Sequence, residues 1–214
     1  MDIKHSLTYF RQQEGWKKVY IKLFASSFFC FIPIVGLFIY QIIFMGYMFI
    51  LANSRIFKPG IAIVPWNTLK ILKVGLASFS SVLYFGALSV VIKPYEQNLE
   101  ILFKILPALL IISIIFGIVI DLSLLVFMTN LKFKSMLKFN AMKFIFIDNF
   151  NEYVKFSLIK FLIVIAFGIV FALLAVTIIG PILLAPSLAF IMADLNAQFL
   201  RKIFKIKTNT QMQG

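Results

Sequence analysis

Residues 156–200 read FSLIKFLIVIAFGIVFALLAVTIIGPILLAPSLAFIMADLNAQFL, a run of 45 residues with one charge near each end, Lys160 and Asp194. As one straight helix the run would extend roughly 68 Å at about 1.5 Å per residue. A bilayer core is only about 30 Å thick. Near the middle, Gly180, Pro181 and Pro186 interrupt a helix, since proline lacks the N–H and clashes with the preceding turn. Lys155 and Lys160 lead in, and Arg201, Lys202, Lys205 and Lys207 follow. Basic flanks favour the cytoplasmic side. Both ends are therefore expected there, the number of crossings is even, and the run folds as a hairpin with its corner at residues 180–186.

Working outward, residues 16–52 repeat the pattern. Lys17, Lys18 and Lys22 precede or open this run, Arg55 and Lys58 follow it, and Pro33 and Gly36 interrupt it. Two readings stand: a hairpin over residues 16–53 with arms short enough to be re-entrant, or one long kinked helix. Residues 74–92 form a third span rich in small residues, which let membrane helices approach closely. Residues 105–128 form a fourth that carries Asp121. The segment 93–100 between them has no excess of positive charge and is placed outside.

Two linkers, residues 54–73 and 130–155, carry lysines. In the second, Lys132, Lys134, Lys138 and Lys143 interleave with Phe133, Leu137 and Phe139, as in an amphipathic segment lying on the cytoplasmic membrane surface. Pro65 is expected to open a helix at its first position, with Trp66 at headgroup level. Asn149 and Glu152 read as a capping box that starts the fifth span. Of 21 basic residues, only Lys93 and Lys104 fall outside in this plan. The expected fold is all-α: an integral membrane helical bundle of about six transmembrane segments, N- and C-termini cytoplasmic. It forms a single domain over residues 1–204, and residues 205–214 form a flexible polar tail.

Composition agrees. The chain is 62% hydrophobic and 14% charged, with a mean hydropathy of +1.00, values of the polytopic membrane class. A net charge of +13 suits lysine-rich loops facing anionic lipid headgroups in a cell membrane, rather than nucleic acid. One cysteine, Cys30, excludes an intrachain disulfide, and with one histidine, His5, it rules out most zinc and haem sites. No cleavable signal peptide is evident before the first apolar run. Glycine-rich phosphate loops and nucleophile–base sets are also missing. The expectation is a non-enzymatic protein with no cofactor or metal.

Several short motifs occur in a familiar order: Tyr9-Phe10, Trp16-Lys17-Lys18, Gly46-Tyr47, Val64-Pro65-Trp66, Gly75-Leu76, then Asn149 and Tyr153 before the terminal hairpin. In this order the chain resembles the prokaryotic membrane-protein family called domain of unknown function 4013, from about residue 2 to about residue 202. It departs from that family's pattern at Val64-Pro65-Trp66-Asn67, where a Leu-Pro-x-Trp type of segment is usual. The resemblance implies a polytopic membrane protein and carries over no functional residue.

Chemistry concentrates on few side chains. Asp121 is an intramembrane carboxylate, costly to insert by about 2.5–3.5 kcal/mol. Ser113, Gly117 and Asp121 share one helix stripe. If the third and fourth spans pair, Ser78, Ser81 and Tyr84 are its expected hydrogen-bond partners. The site is then either a proton or cation site or a buried polar tie. Asp194, Asn196 and Gln198, near the end of the last span, are either lining for a cytoplasmic vestibule or interfacial end groups. Two functions are in view. The first is a subunit, scaffold or accessory of a membrane assembly, with a membrane-protein partner or a second copy. The second is a small-solute or ion transporter or channel using Asp121.

Overall fold

The structure, a computed structural model, describes residues 15–32, 35–58, 63–78, 99–174 and 179–205. Every regular element among them is helical. The long ones are α1 (Trp16–Ser27), α2 (Val35–Phe57), α3 (Thr68–Ser78), α4 (Leu99–Asn130), α6 (Phe150–Leu174) and α7 (Ile179–Ile203). Between α4 and α6 lie a 3-10 turn (Phe133–Leu137), the five-residue α5 (Phe139–Lys143) and a π-helical turn (Phe144–Asp148).

Three helices among the described residues are long and apolar enough to cross a membrane. Their spans are Phe38–Phe57 in α2, Leu106–Asn130 in α4 and Phe150–Leu173 in α6. Six crossings are therefore not what the described helices provide. The first arm of residues 16–53 falls short: α1 has 12 residues, about 18 Å of helix against a core of about 30 Å. Of the expected third span, residues 74–78 belong to α3, and the remainder lies outside the described residues, as do the outer loop up to residue 98 and residues 206–214 of the tail.

The long kinked helix is not what forms at residues 16–53. α1 passes into a 3-10 turn (Phe28–Phe31), Ile32 is extended, and α2 starts afresh at Val35. The Gly36 N–H donates to the Ile32 carbonyl at 3.1 Å. A Cβ on Gly36 would collide with the Phe29 carbonyl, so this tight start needs glycine. α1 then packs against α7 and α2. Lys22 of α1 sits 5.6 Å from the Trp66 ring, and Tyr47 of α2 stacks on that same ring at 5.7 Å.

The closing run also doubles back. At the open end of the pair, Phe156 of α6 stacks on Phe199 of α7 at 4.2 Å, and Lys202 meets Glu152 at 2.6 Å. Its expected corner is displaced. α6 ends at Leu174 and α7 begins at Ile179, so residues 180–186 are helical. Gly180 and Pro181 occupy the first turn, where N–H groups have no intrahelical acceptor and a missing donor goes unnoticed. Pro186 lies inside the helix, where it removes one hydrogen bond.

α7 is the central helix. Ala189, Ala193 and Ala197, spaced one turn apart, are each fully buried, and small side chains allow this close approach. Phe190, Leu195, Phe199 and Leu200 fill the surrounding core. By contrast only 17% of the α4 window and 6% of the α6 window are buried. Those two helices turn large apolar side chains such as Ile114, Phe116, Phe161 and Leu173 outward, which is stable facing lipid and not water.

α2 and α3 cross through glycines. A Cβ on Gly46 would collide with the Ile71 carbonyl, and one on Gly75 with the Ile42 carbonyl. The start of α3 is set by Asn67 and not by Pro65. The Asn67 Oδ1 accepts from the Lys70 N–H at 3.0 Å, an N-cap that satisfies an otherwise orphaned donor. Trp66 is half-buried and donates to the Thr68 hydroxyl at 3.2 Å.

Candidate functional site

Two charged clusters lie within the helices. The first joins α4 to α6. The Lys160 ammonium pairs with Asp121 Oδ1, and the Tyr153 hydroxyl donates to Asp121 Oδ2 at 3.2 Å. Asp121 lies nine residues before the end of α4 and Lys160 ten after the start of α6. These are axial distances of about 14 and 15 Å. The two ends are joined by residues 131–149, so the carboxylate and the ammonium meet at one depth.

Lys160 thus lies inside the α6 stretch long and apolar enough to cross a membrane and is not a flank. The reason is that α6 starts at Phe150, directly after Asn149, instead of at the apolar run near residue 156. Asn149 marks that start as expected, but its side-chain N–H donates back to the Phe144 carbonyl at 2.9 Å, and Glu152 turns to Lys202. Tyr153 is held between Phe146 at 5.6 Å and Phe199 at 6.4 Å.

Of the partners expected for Asp121, Ser81 and Tyr84 lie outside the described residues. Ser78 is buried on α3, and its hydroxyl donates to the Gly75 carbonyl at 2.7 Å. Asp121 and Gly117 do share a stripe: both border a cleft of about 790 Å³ between α4 and α6, with Tyr153, Ser157, Lys160 and Phe161 on the facing wall.

The second cluster joins α2 to α7. Arg55 Nη2 lies 2.5 Å from Asp194 Oδ1, with side chains 1% and 0% exposed. Gln198 donates to Asp194 Oδ2 at 2.8 Å, from the next turn of the same helix. Asn196 is 2% exposed. Asp194 and Asn196 are thus packed between helices and do not line an open vestibule. Arg201 adds a second guanidinium. Burial pushes its pKa below the usual arginine range, the Arg55 charge adds to that, and the Asp194 carboxylate opposes it. Above this cluster, the Asn53 side-chain amide donates to the Met128 carbonyl at 2.7 Å and ties α2 to the end of α4.

No family model matches the chain, and neither a curated protein nor a solved structure matches it.

Sequence reasoning placed Asp121 and Asp194 but missed their cations. In the sequence Arg55 reads as a loop charge and Lys160 as a flank. The available signal was the expense of an unpaired intramembrane carboxylate, which calls for a cation at matching depth. No group of three or more metal-ligating side chains occurs among the described residues.

Proposed function

We propose that this chain is a non-enzymatic membrane protein that serves as a subunit, scaffold or accessory of a larger membrane assembly. One observation carries the reading: Asp194 and Asp121, each inside a described helix, are already matched by a cation, Asp194 by Arg55 and Asp121 by Lys160. An ion-coupled site needs a carboxylate that exchanges its counter-ion during each cycle. Here Asp194 is sealed in a packed core, and releasing a buried pair costs about 3–5 kcal/mol. Around that core, α4 and α6 present long apolar faces suited to lipid or to another membrane protein.

The fuller topology belongs to this proposal: a helical bundle in the cytoplasmic membrane with both termini inside, and lysine-rich linkers on anionic headgroups. So does kinship with domain of unknown function 4013, which rests on the sequence motifs alone. The partner is either another membrane protein or a second copy of the chain. Affinity purification of the full chain in mild detergent tests the proposal, with a stoichiometric complex as the expected result.

The transporter reading keeps one observation in its favour, since Asp121 borders a cleft. Solute or proton flux in proteoliposomes that is lost in Asp121→Asn, with folding intact, would replace the scaffold reading with it.

A further inference from the structure

The cleft between α4 and α6 has the make-up of a small-molecule site. Its volume of about 790 Å³ lies in the usual range for ligand pockets, about 300–1,000 Å³. Its walls are almost wholly apolar, and its few polar groups are Asp121, Tyr153, Ser157 and Lys160, of which Tyr153 and Lys160 converge on Asp121. Apolar walls with a small convergent polar set are how pockets bury a ligand and fix its orientation. Gly117 hollows the α4 wall, because a Cβ built there meets nothing within 4 Å. The cleft lies between two outward-facing membrane helices, so its mouth opens to lipid.

The polar groups also define the head of the ligand. Asp121 and Lys160 cancel in net charge, so neither an anion nor a cation is favoured. Both keep part of their surface open, 23% and 29% of the side chain. The ammonium has three donors; among the described residues it meets Asp121 and, at 5.5 Å, the Phe156 ring. The carboxylate has acceptor capacity beyond its bonds to Tyr153 and Lys160. The Ser157 hydroxyl lies buried beside Tyr153, without a hydrogen bond of normal geometry among the described residues. A neutral group that can accept from Lys160 and donate to Asp121 fits this set.

We propose that the α4–α6 cleft binds a membrane-soluble amphiphile whose neutral hydroxyl head accepts from Lys160 and donates to Asp121, its apolar body lying against Gly117 and Phe161. The ligand enters sideways from the bilayer. This site stands apart from the subunit proposal and does not need a protein partner.

The test is photolabelling of the full chain in phosphatidylcholine vesicles, using a diacylglycerol with a diazirine on one acyl chain. Label is expected in the α4 and α6 peptides around Ile114 and Phe161, and unlabelled dioleoylglycerol should remove it. Gly117→Phe, which fills the hollow, should weaken labelling by about tenfold at unchanged thermal stability, and Lys160→Met, which removes the donor, should weaken it as much while also lowering the melting midpoint, because it breaks the pair with Asp121. Val164→Trp, on the facing wall, replaces Gly117→Phe if that variant fails to fold. Phosphatidic acid with the same chains should compete poorly. Three results would overturn the proposal: label reaching exposed positions such as Leu173 as readily as the cleft in wild type and variants alike; equal competition by phosphatidic acid; or a photocrosslinker at Ile114 that captures a protein helix in place of the probe.

Discussion

Removing one partner of the Arg55–Asp194 pair should be among the most damaging single changes available in the described bundle. Arg55→Met keeps the length of the side chain and deletes its charge. Asp194, 0% exposed, then loses the guanidinium and keeps the neutral Gln198 amide at 2.8 Å. Breaking a buried pair in this way costs about 3–5 kcal/mol. For a chain of this size each kcal/mol moves the midpoint by about 2–4 °C, so the expected loss is roughly 6–20 °C. The assay is thermal unfolding of the purified protein in a mild detergent, followed by circular dichroism and by loss of the monodisperse peak. The double variant Arg55→Met/Asp194→Leu removes both charges and should recover much of that loss, since apolar replacements of whole buried pairs are often neutral or better. A single variant as benign as a surface lysine substitution would refute the reasoning. So would a double variant as damaged as the two single losses added together.

Other perturbations separate the remaining contacts. Asp121→Asn should lower the midpoint less than Arg55→Met, by about 1–3 kcal/mol, because the pair is partly open and the Tyr153 hydroxyl keeps an acceptor; the same melts give the comparison. Gly46→Leu and Gly75→Leu each drive a side chain into a backbone carbonyl and should cost about 1–3 kcal/mol or more, with reduced yield of folded protein as the readout. Phe199→Ala deletes a fully buried ring stacked on Phe156 and should cost about 3–5 kcal/mol. Lys202→Ala, at the exposed Glu152 pair, should leave the midpoint unchanged, as exposed ion pairs add little.

Much of the helical plan was legible because the bilayer imposes lengths. α4 and α6 follow from runs of apolar residues long and uniform enough to cross a membrane. The doubling back of residues 156–200 followed from the same length limit. The position of its break did not, because a proline signals either the end of a helix or its first turn, and Pro181 belongs to the second case. The shortness of α1 was hidden by apolar residues that continue past Ser27 into a 3-10 turn. Hydropathy also says nothing about which apolar helix faces lipid. Only the alanines at 189, 193 and 197, with Asp194 and Asn196 beside them, hinted that α7 is enclosed. The ion pairs were hardest to see, since Arg55 and Asp194 come from distant stretches and meet only once α2 and α7 pack.

The doubling back of α6 and α7 carries the placement of both charged clusters, and side-specific labelling tests it most directly. In a Cys30→Ser background, single cysteines replace Lys155 near the start of α6 and Lys202 near the end of α7. A membrane-impermeant maleimide is then applied to sealed vesicles of each orientation. Both cysteines should react from the same face, at comparable rates. Reaction of Lys155→Cys from one face and Lys202→Cys from the other would contradict the hairpin.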